Sequence, residues 1–136
     1  MKFDDTSWWV AWALAGDRNH VAAVAVLDRL GSAEQVITTN HVVGETWTYL
    51  NNKAGHGAAI GYLDRVASLR ELGKLAVHLV DGSQEEAAWA WLRRHDERAY
   101  SFVDATSFTV MRDRRLREAF AFDEDFSAAG FVELRP

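Results

Sequence analysis

Two periods of apolar residues alternate along this chain. Short, partly β-branched runs at Met1–Asp5, Gln35–Thr38, Leu75–Val80, Glu118–Phe122 and Phe131–Leu134 predict strands. Helical spacing fills the intervals. Thr6 or Ser7 is placed to cap a helix carrying Trp8, Trp9, Val10, Trp12 and Leu14, broken at Gly16. Asp17 is placed to cap a second, in which Ala23, Val26, Leu27 and Leu30 recur at i, i+3, i+4 and i+7 and Gly31 ends the run. Thr39 or Asn40 opens a third helix, which reaches about Leu50 and contains Glu45. A break rich in Asn and Gly at 51–57 precedes a helix over Ala58–Leu72, stopped by Gly73. Asp81-Gly82 reads as a turn. Helices over Ser83–His95 and Ser101–Arg112 follow, then one helical turn near Glu124–Ala128. No strand pair is joined by a two-residue hairpin turn, so the alternation predicts an α/β sandwich around a short, mostly parallel sheet. Sites in such sheets form at the carboxyl ends of strands; Asp5 ends the first strand candidate and Asp123 directly follows another.

Length and composition narrow this picture. The 136 residues fit one domain, 1–136, and 49% hydrophobic content permits a real core. No apolar run approaches membrane-spanning length. The N-terminus M-K-F-D-D-T-S lacks the charge and apolar run of a signal peptide, so a cytoplasmic home is expected. The absence of cysteine excludes disulfides and thiolate metal sites. The net charge of −5 does not advertise a nucleic-acid binder. Four carboxylates neutralised by divalent metal would leave only −1, however, and an acidic pocket can still carry a basic rim.

The candidate chemistry lies in four acids. Taken singly, each of the twenty Asp and Glu residues is most simply a solvated surface charge. Four of them sit instead among apolar neighbours. Asp5 lies between Phe3 and the Trp8–Trp9 pair, and Glu45 lies in V-V-G-E-T-W. Asp104 lies in S-F-V-D-A-T-S-F at a predicted helix start, and Asp123 follows A-F-A-F. Buried carboxylates are protonated, paired or metal-bound. An all-oxygen set selects Mg²⁺ or Mn²⁺ over zinc. The chemistry that follows is metal-assisted phosphodiester hydrolysis. Thr6, Ser7 and Ser107 are candidate hydrogen-bond partners of water or phosphate, and Asp125 is a candidate supporting acid beside Asp123. Neither a G-x-S-x-G elbow nor a phosphate-binding glycine loop is present. Arg112, Arg114, Arg115 and Arg117 follow the Asp104 helix and are candidates to hold RNA phosphates; their plainer reading is a solvated helix end. Arg93, Arg94 and Arg98 offer a second basic patch. Of six tryptophans most belong in the core, but Trp8 and Trp9 are adjacent on one helix, so one of them is expected at an interface.

Taken together, D-T-S after the first strand, T-N-H-V-V-G-E-T-W, S-F-V-D-A-T-S-F and F-D-E-D-F-S-A-A-G-F resemble PIN-domain ribonucleases. Within them the chain is most similar to VapC-type toxins of toxin–antitoxin pairs, particularly mycobacterial ones, over its full length. The resemblance implies a PIN-like three-layer sandwich and an endoribonuclease dependent on Mg²⁺ or Mn²⁺. It implies Asp5, Glu45, Asp104 and Asp123 as metal-binding catalytic acids, a homodimer, and a VapB-type antitoxin whose C-terminal segment wraps the toxin. The implied substrates are structured RNAs, with the sarcin–ricin loop of 23S rRNA favoured and tRNA next. One departure is Asp4, where the family usually carries an apolar residue. Neighbouring strand residues face opposite ways, so only one of Asp4 and Asp5 faces the pocket, and the D-T-S register favours Asp5.

Two other classes compete. A catalytically silent PIN-like binding module would share the fold. A receiver-like phosphoacceptor would use Asp4-Asp5, but it needs a lysine near the last strand, and the lysines are only Lys2, Lys53 and Lys74.

Overall fold

A computed structural model describes residues 1–29 and 34–134. Five short strands form one sheet: β1 (Lys2–Asp4), β2 (Val36–Thr39), β3 (Leu75–His78), β4 (Glu118–Phe120) and β5 (Val132–Leu134). Their order is β3-β2-β1-β4-β5, and every pairing is parallel. The expectation of a mostly parallel sheet is therefore met. The helices are α1 (Thr6–Ala13), α2 (His20–Arg29), α3 (Asn40–Ala54), α4 (His56–Glu71), α5 (Gly82–Arg94), α6 (Phe102–Asp113) and the single turn α7 (Asp125–Ala128).

Strand alternation assigns these helices to two outer layers. Phe3 pairs with Ala119 on one face, and Asp4 pairs with Phe120 on the other. On the first face Phe3 meets Phe126 of α7, which packs edge-on against Phe108 of α6. On the second, Phe120 meets Trp8 of α1, and Trp9 packs against Tyr62 of α4. The result is helices, sheet, helices. Both Trp8 and Trp9 are buried, which overturns the expectation that one of them lies at an interface. The helix is covered on two sides: Trp8 turns to the sheet and Trp9 to α4. The large exposed tryptophan is Trp89, stacked on Phe102 at 4.1 Å.

Several element ends differ from the sequence reading, each for a local reason. The N-cap of α1 is Asp5, not Thr6 or Ser7, because the Asp5 carboxylate takes the Ser7 amide at 3.1 Å. α1 stops at Ala13, before Gly16. Asp17 does not cap α2 directly; its Oδ1 accepts the Asn19 amide at 2.8 Å and shapes the connection between α1 and α2. Leu30 and Gly31, expected to close α2, lie outside the described residues. The break expected over 51–57 shrinks to Gly55, whose φ of 93° ends α3 and lets α4 start at once. Asp81-Gly82 is a helix start rather than a free turn. Asp81 accepts the Gln84 amide at 2.8 Å, and Gln84 returns a side-chain oxygen to the Asp81 amide at 3.2 Å.

In this strand order the chain runs outward from β1 through β2 to β3, then returns to the other side of β1 for β4 and β5. The crevice between the carboxyl ends of β1 and β4 is thus a topological switch point, the usual place for a site in an open parallel sheet.

Candidate active site

Three of the four sequence-predicted acids converge at that crevice. Asp5 directly follows β1, Asp123 follows β4, and Asp104 lies in the first turn of α6. One carboxylate oxygen from each lies within 4.8 Å of the other two. Local hydrogen bonds explain the convergence. Ser7 Oγ donates to Asp5 Oδ2 at 2.7 Å and accepts the Phe122 amide at 3.0 Å. It ties the end of β1 to the chain leading into Asp123. The Asp5 amide itself donates to the Phe120 carbonyl at 3.1 Å. Asp104 closes a capping box with Ser101: Asp104 Oδ2 accepts the Ser101 amide, and Ser101 Oγ accepts the Asp104 amide, both at 2.9 Å. Asp123 Oδ1 accepts the Asp125 amide at 3.2 Å. Each aspartate therefore commits one oxygen to a backbone N–H and retains a second for a ligand.

Beyond Asp123 the chain turns sharply. Glu124 has φ 69°, a left-handed conformation unusual for a residue with a side chain. The Glu133 carboxylate secures this turn by accepting the amides of Glu124 and Ser127 at 3.1 and 2.8 Å. Arg98 Nε donates to Asp125 Oδ1 at 2.9 Å, with Nη2 at 3.5 Å from the Asp123 carbonyl. Asp125 thus supports Asp123 through its amide, while its side chain holds an arginine.

Electrostatics mark the cluster as a place for a cation. Burial pushes the Asp5 carboxyl well above the usual carboxylate range, and the neighbouring Asp123 and Asp104 push it further against the hydrogen bonds from Ser7. Asp104 rises to about 6, chiefly through burial, with Ser101 opposing and Asp123 and Asp125 adding. Asp123 rises through burial and then Asp125. Like charges held this close favour a shared proton or a bound cation. The donors are all oxygen, which fits a hard divalent ion such as Mg²⁺ or Mn²⁺.

Glu45 lies outside this tight trio but lines the same cleft, a space of about 350 Å³ walled by Asp5, Ser7, Phe122 and Asp123. Thr6 lines it too, its buried Oγ1 without a protein partner. Ser107, one turn along α6 from Asp104, is likewise buried with its Oγ unpartnered. His41, one turn before Glu45, instead faces Glu85 at 3.3 Å.

Asp4 points to the opposite face of the sheet, as strand alternation requires. It is buried, and burial followed by Asp5 holds its carboxyl well above the usual range. Burial thus disfavours the charged form at a position where an apolar residue is expected.

The arginines in the last turn of α6 and just after it do not line the cleft. Arg112 lies eight residues, about 12 Å of helix, beyond Asp104. Its guanidinium stacks over Trp91 and Phe131 at 5.6 and 5.8 Å. Arg114 Nη2 bonds the His78 ring at 3.1 Å, and Arg115 and Arg117 are exposed. None of Lys2, Lys53 and Lys74 lines the cleft, so a receiver-like site has no lysine there. Sequence reasoning missed Arg18, Asn19 and Tyr49, which do line it. Tyr49 was within reach, because it stands one helical turn after Glu45 and shares its face. The Arg18-Asn19 pair carried no signal, since only the path of the connection between α1 and α2 brings it to the site.

The PIN-domain family model matches residues 2–132. The chain belongs to the PIN-domain family. Among PIN proteins it is 52% identical, over 138 aligned positions, to the 23S rRNA-specific endonuclease VapC20 of Mycobacterium tuberculosis strain H37Rv. That alignment covers 100% of this chain and 99% of the relative, and the protein of the same name from strain CDC 1551 matches equally. The PIN fold is matched in detail by the crystal structure of M. tuberculosis VapC20, described as a sarcin–ricin loop cleaving toxin. Its TM-score is 0.90 at 51% identity, covering 100% of both chains.

Proposed function

We propose that this chain is a metal-dependent endoribonuclease toxin of the VapC type, cutting 23S rRNA in the sarcin–ricin loop. The observation that carries the chemistry is the convergence of Asp5, Asp104 and Asp123 oxygens within 4.8 Å at the switch point of the sheet. The substrate assignment rests on 52% identity to a 23S rRNA-specific endonuclease along the whole chain. Asp5, Asp104 and Asp123 hold Mg²⁺ or Mn²⁺, and Glu45 completes the set from the cleft wall. A bound divalent ion supplies positive charge for the phosphate and lowers the pKa of water. Ser7 fixes the Asp5 carboxylate, and Thr6 on the cleft wall offers a hydroxyl for water or phosphate. Arg112, Arg114, Arg115 and Arg117 lie off the cleft, so their part is to hold RNA backbone at a distance from the cut. The partners are a VapB-type antitoxin and a second copy of the chain, and the setting is the cytoplasm. Among the described residues no helix is long and apolar enough to cross a membrane.

The test is to offer purified 23S rRNA and tRNA to the protein in EDTA, Mg²⁺ or Mn²⁺ and to map new RNA ends. A single cut in the sarcin–ricin loop, made only with metal and absent from tRNA, is expected. RNA bound but left intact under every condition would return the reading of a catalytically silent PIN module.

A further inference from the structure

The cleft has a second wall that the acid chemistry leaves unexplained. Tyr49 stands one turn after Glu45 on α3 and is 41% exposed although it lines the cleft. The same cleft is lined by the connection between α1 and α2, which contributes Asp17, Arg18 and Asn19. Asp17 is occupied by the Asn19 amide. Arg18 is the one cation among the described residues that line the cleft, where Asp5, Asp17, Glu45 and Asp123 are all acidic. It makes no ion pair among the described residues.

We infer that Tyr49, Arg18 and Asn19 form the subsite for the nucleotide flanking the scissile phosphate: Tyr49 stacks its base, Arg18 binds its phosphate, and Asn19 reads the base edge. This rests on the nuclease reading above and deepens it. A polyanion entering an acidic cleft needs a cation inside it, and Arg18 is placed for that role. A guanidinium also suits the oxygens of a phosphate. An aromatic ring exposed within a concave site offers a platform for an unstacked base, the usual mode of recognition in RNA loops. Asn19 offers a donor and an acceptor beside them. The cleft volume of about 350 Å³ has room for one small-ligand-sized group. Cutting would therefore require one loop nucleotide to be turned out of its stack and seated between α3 and the connection between α1 and α2.

The test uses sarcin–ricin-loop hairpins carrying a single abasic position, walked through the nucleotides around the cut. Affinity is read with Asp104→Asn protein, so that binding is separated from chemistry. At one position, loss of the base should weaken binding roughly 5- to 150-fold. Adding Tyr49→Ala should weaken binding of intact RNA similarly and make the protein indifferent to the missing base. Tyr49→Phe should keep the parent's discrimination. Arg18→Ala should lower the slope of log affinity against log salt by about 0.7 to 0.9, one phosphate's worth, while Tyr49→Ala leaves the slope alone. Losses from Tyr49→Ala and the abasic site that multiply at every position would overturn the subsite, as would an unchanged salt slope in Arg18→Ala. Failure of the wild-type protein to shorten the intact hairpin in Mg²⁺ would break the underlying nuclease reading instead, and it shows on a gel independently of any affinity.

Discussion

Asp104 serves two demands that oppose each other without metal. Its carboxylate caps its own helix through Ser101, yet it is buried beside Asp5 and Asp123. The folded pKa of about 6 exceeds the ordinary 3.8, so the folded protein keeps a proton that the unfolded chain has released. The stability from that proton is full below about pH 4 and is lost as pH rises through about 6. The shift corresponds to up to about 3 kcal/mol. Asp81 and Glu97 are lowered, chiefly by hydrogen bonds, from 3.8 and 4.5, so they act only below pH 5.5. Metal-free protein should therefore melt lower at pH 7.5 than at pH 5.5, as followed by calorimetry, and saturating Mg²⁺ should flatten the difference. Asp104→Asn keeps an acceptor for the Ser101 amide and removes the charge. It should raise the metal-free melting temperature at pH 7.5; a drop would contradict the account of charge repulsion. Ser7→Ala tests the clamp. It strands the Phe122 amide and leaves Asp5 with only the backbone amide of residue 7, so it should cost about 1–3 kcal/mol in denaturant unfolding and weaken metal binding in calorimetric titration.

At the scale of elements, the two capping boxes make a controlled pair. Asp81→Ala and Ser101→Ala should each cost about 1 kcal/mol in chemical denaturation. Only Ser101→Ala should also weaken Mg²⁺ binding, because only that cap holds a cluster acid. Equal metal affinity in both variants would show that the α6 cap does not position Asp104. Gly55→Ala should destabilise by about 1 kcal/mol or more, because φ of 93° suits glycine alone. Most element types were legible, since periodicity distinguishes the β-branched run Val36–Thr39 from the long amphipathic stretches around it. Boundaries were less so. Asn51 and Asn52 read as breakers but stay helical, because the tertiary packing of α3 on α4 outweighs weak propensity. Asp5 was read as a ligand candidate and not as a cap, since in sequence Thr6 and Ser7 cap equally well. Only the backbone geometry shows which residue accepts the Ser7 amide.

At the scale of the molecule, parallel pairing with β1 and β4 adjacent brings together acids roughly a hundred residues apart in the chain. The alternation of strands and helices foretold the parallel sheet, and the placement of Asp5 and Asp123 after strands foretold the crevice. The strand order itself is not written in local pattern, so the arginines after α6 looked near the site in sequence while the cleft is walled instead by Arg18 and Tyr49. The same distance hid the burial of Trp8 and Trp9, which depends on α1 being covered by both sheet and α4. Divalent metal should stabilise the whole fold: at a hundredfold excess over its dissociation constant the gain is about 2.7 kcal/mol, or several degrees in melting temperature. The central claim is that Asp5, Asp104 and Asp123 act as one metal-holding nuclease centre. Its most direct test is single-turnover cleavage of sarcin–ricin-loop RNA in Mg²⁺ by wild-type and Asp104→Asn protein, both verified as folded by their melting curves. Wild type should cut, EDTA should abolish the cutting, and Asp104→Asn should leave the RNA intact. Equal cutting by the two proteins would contradict that claim.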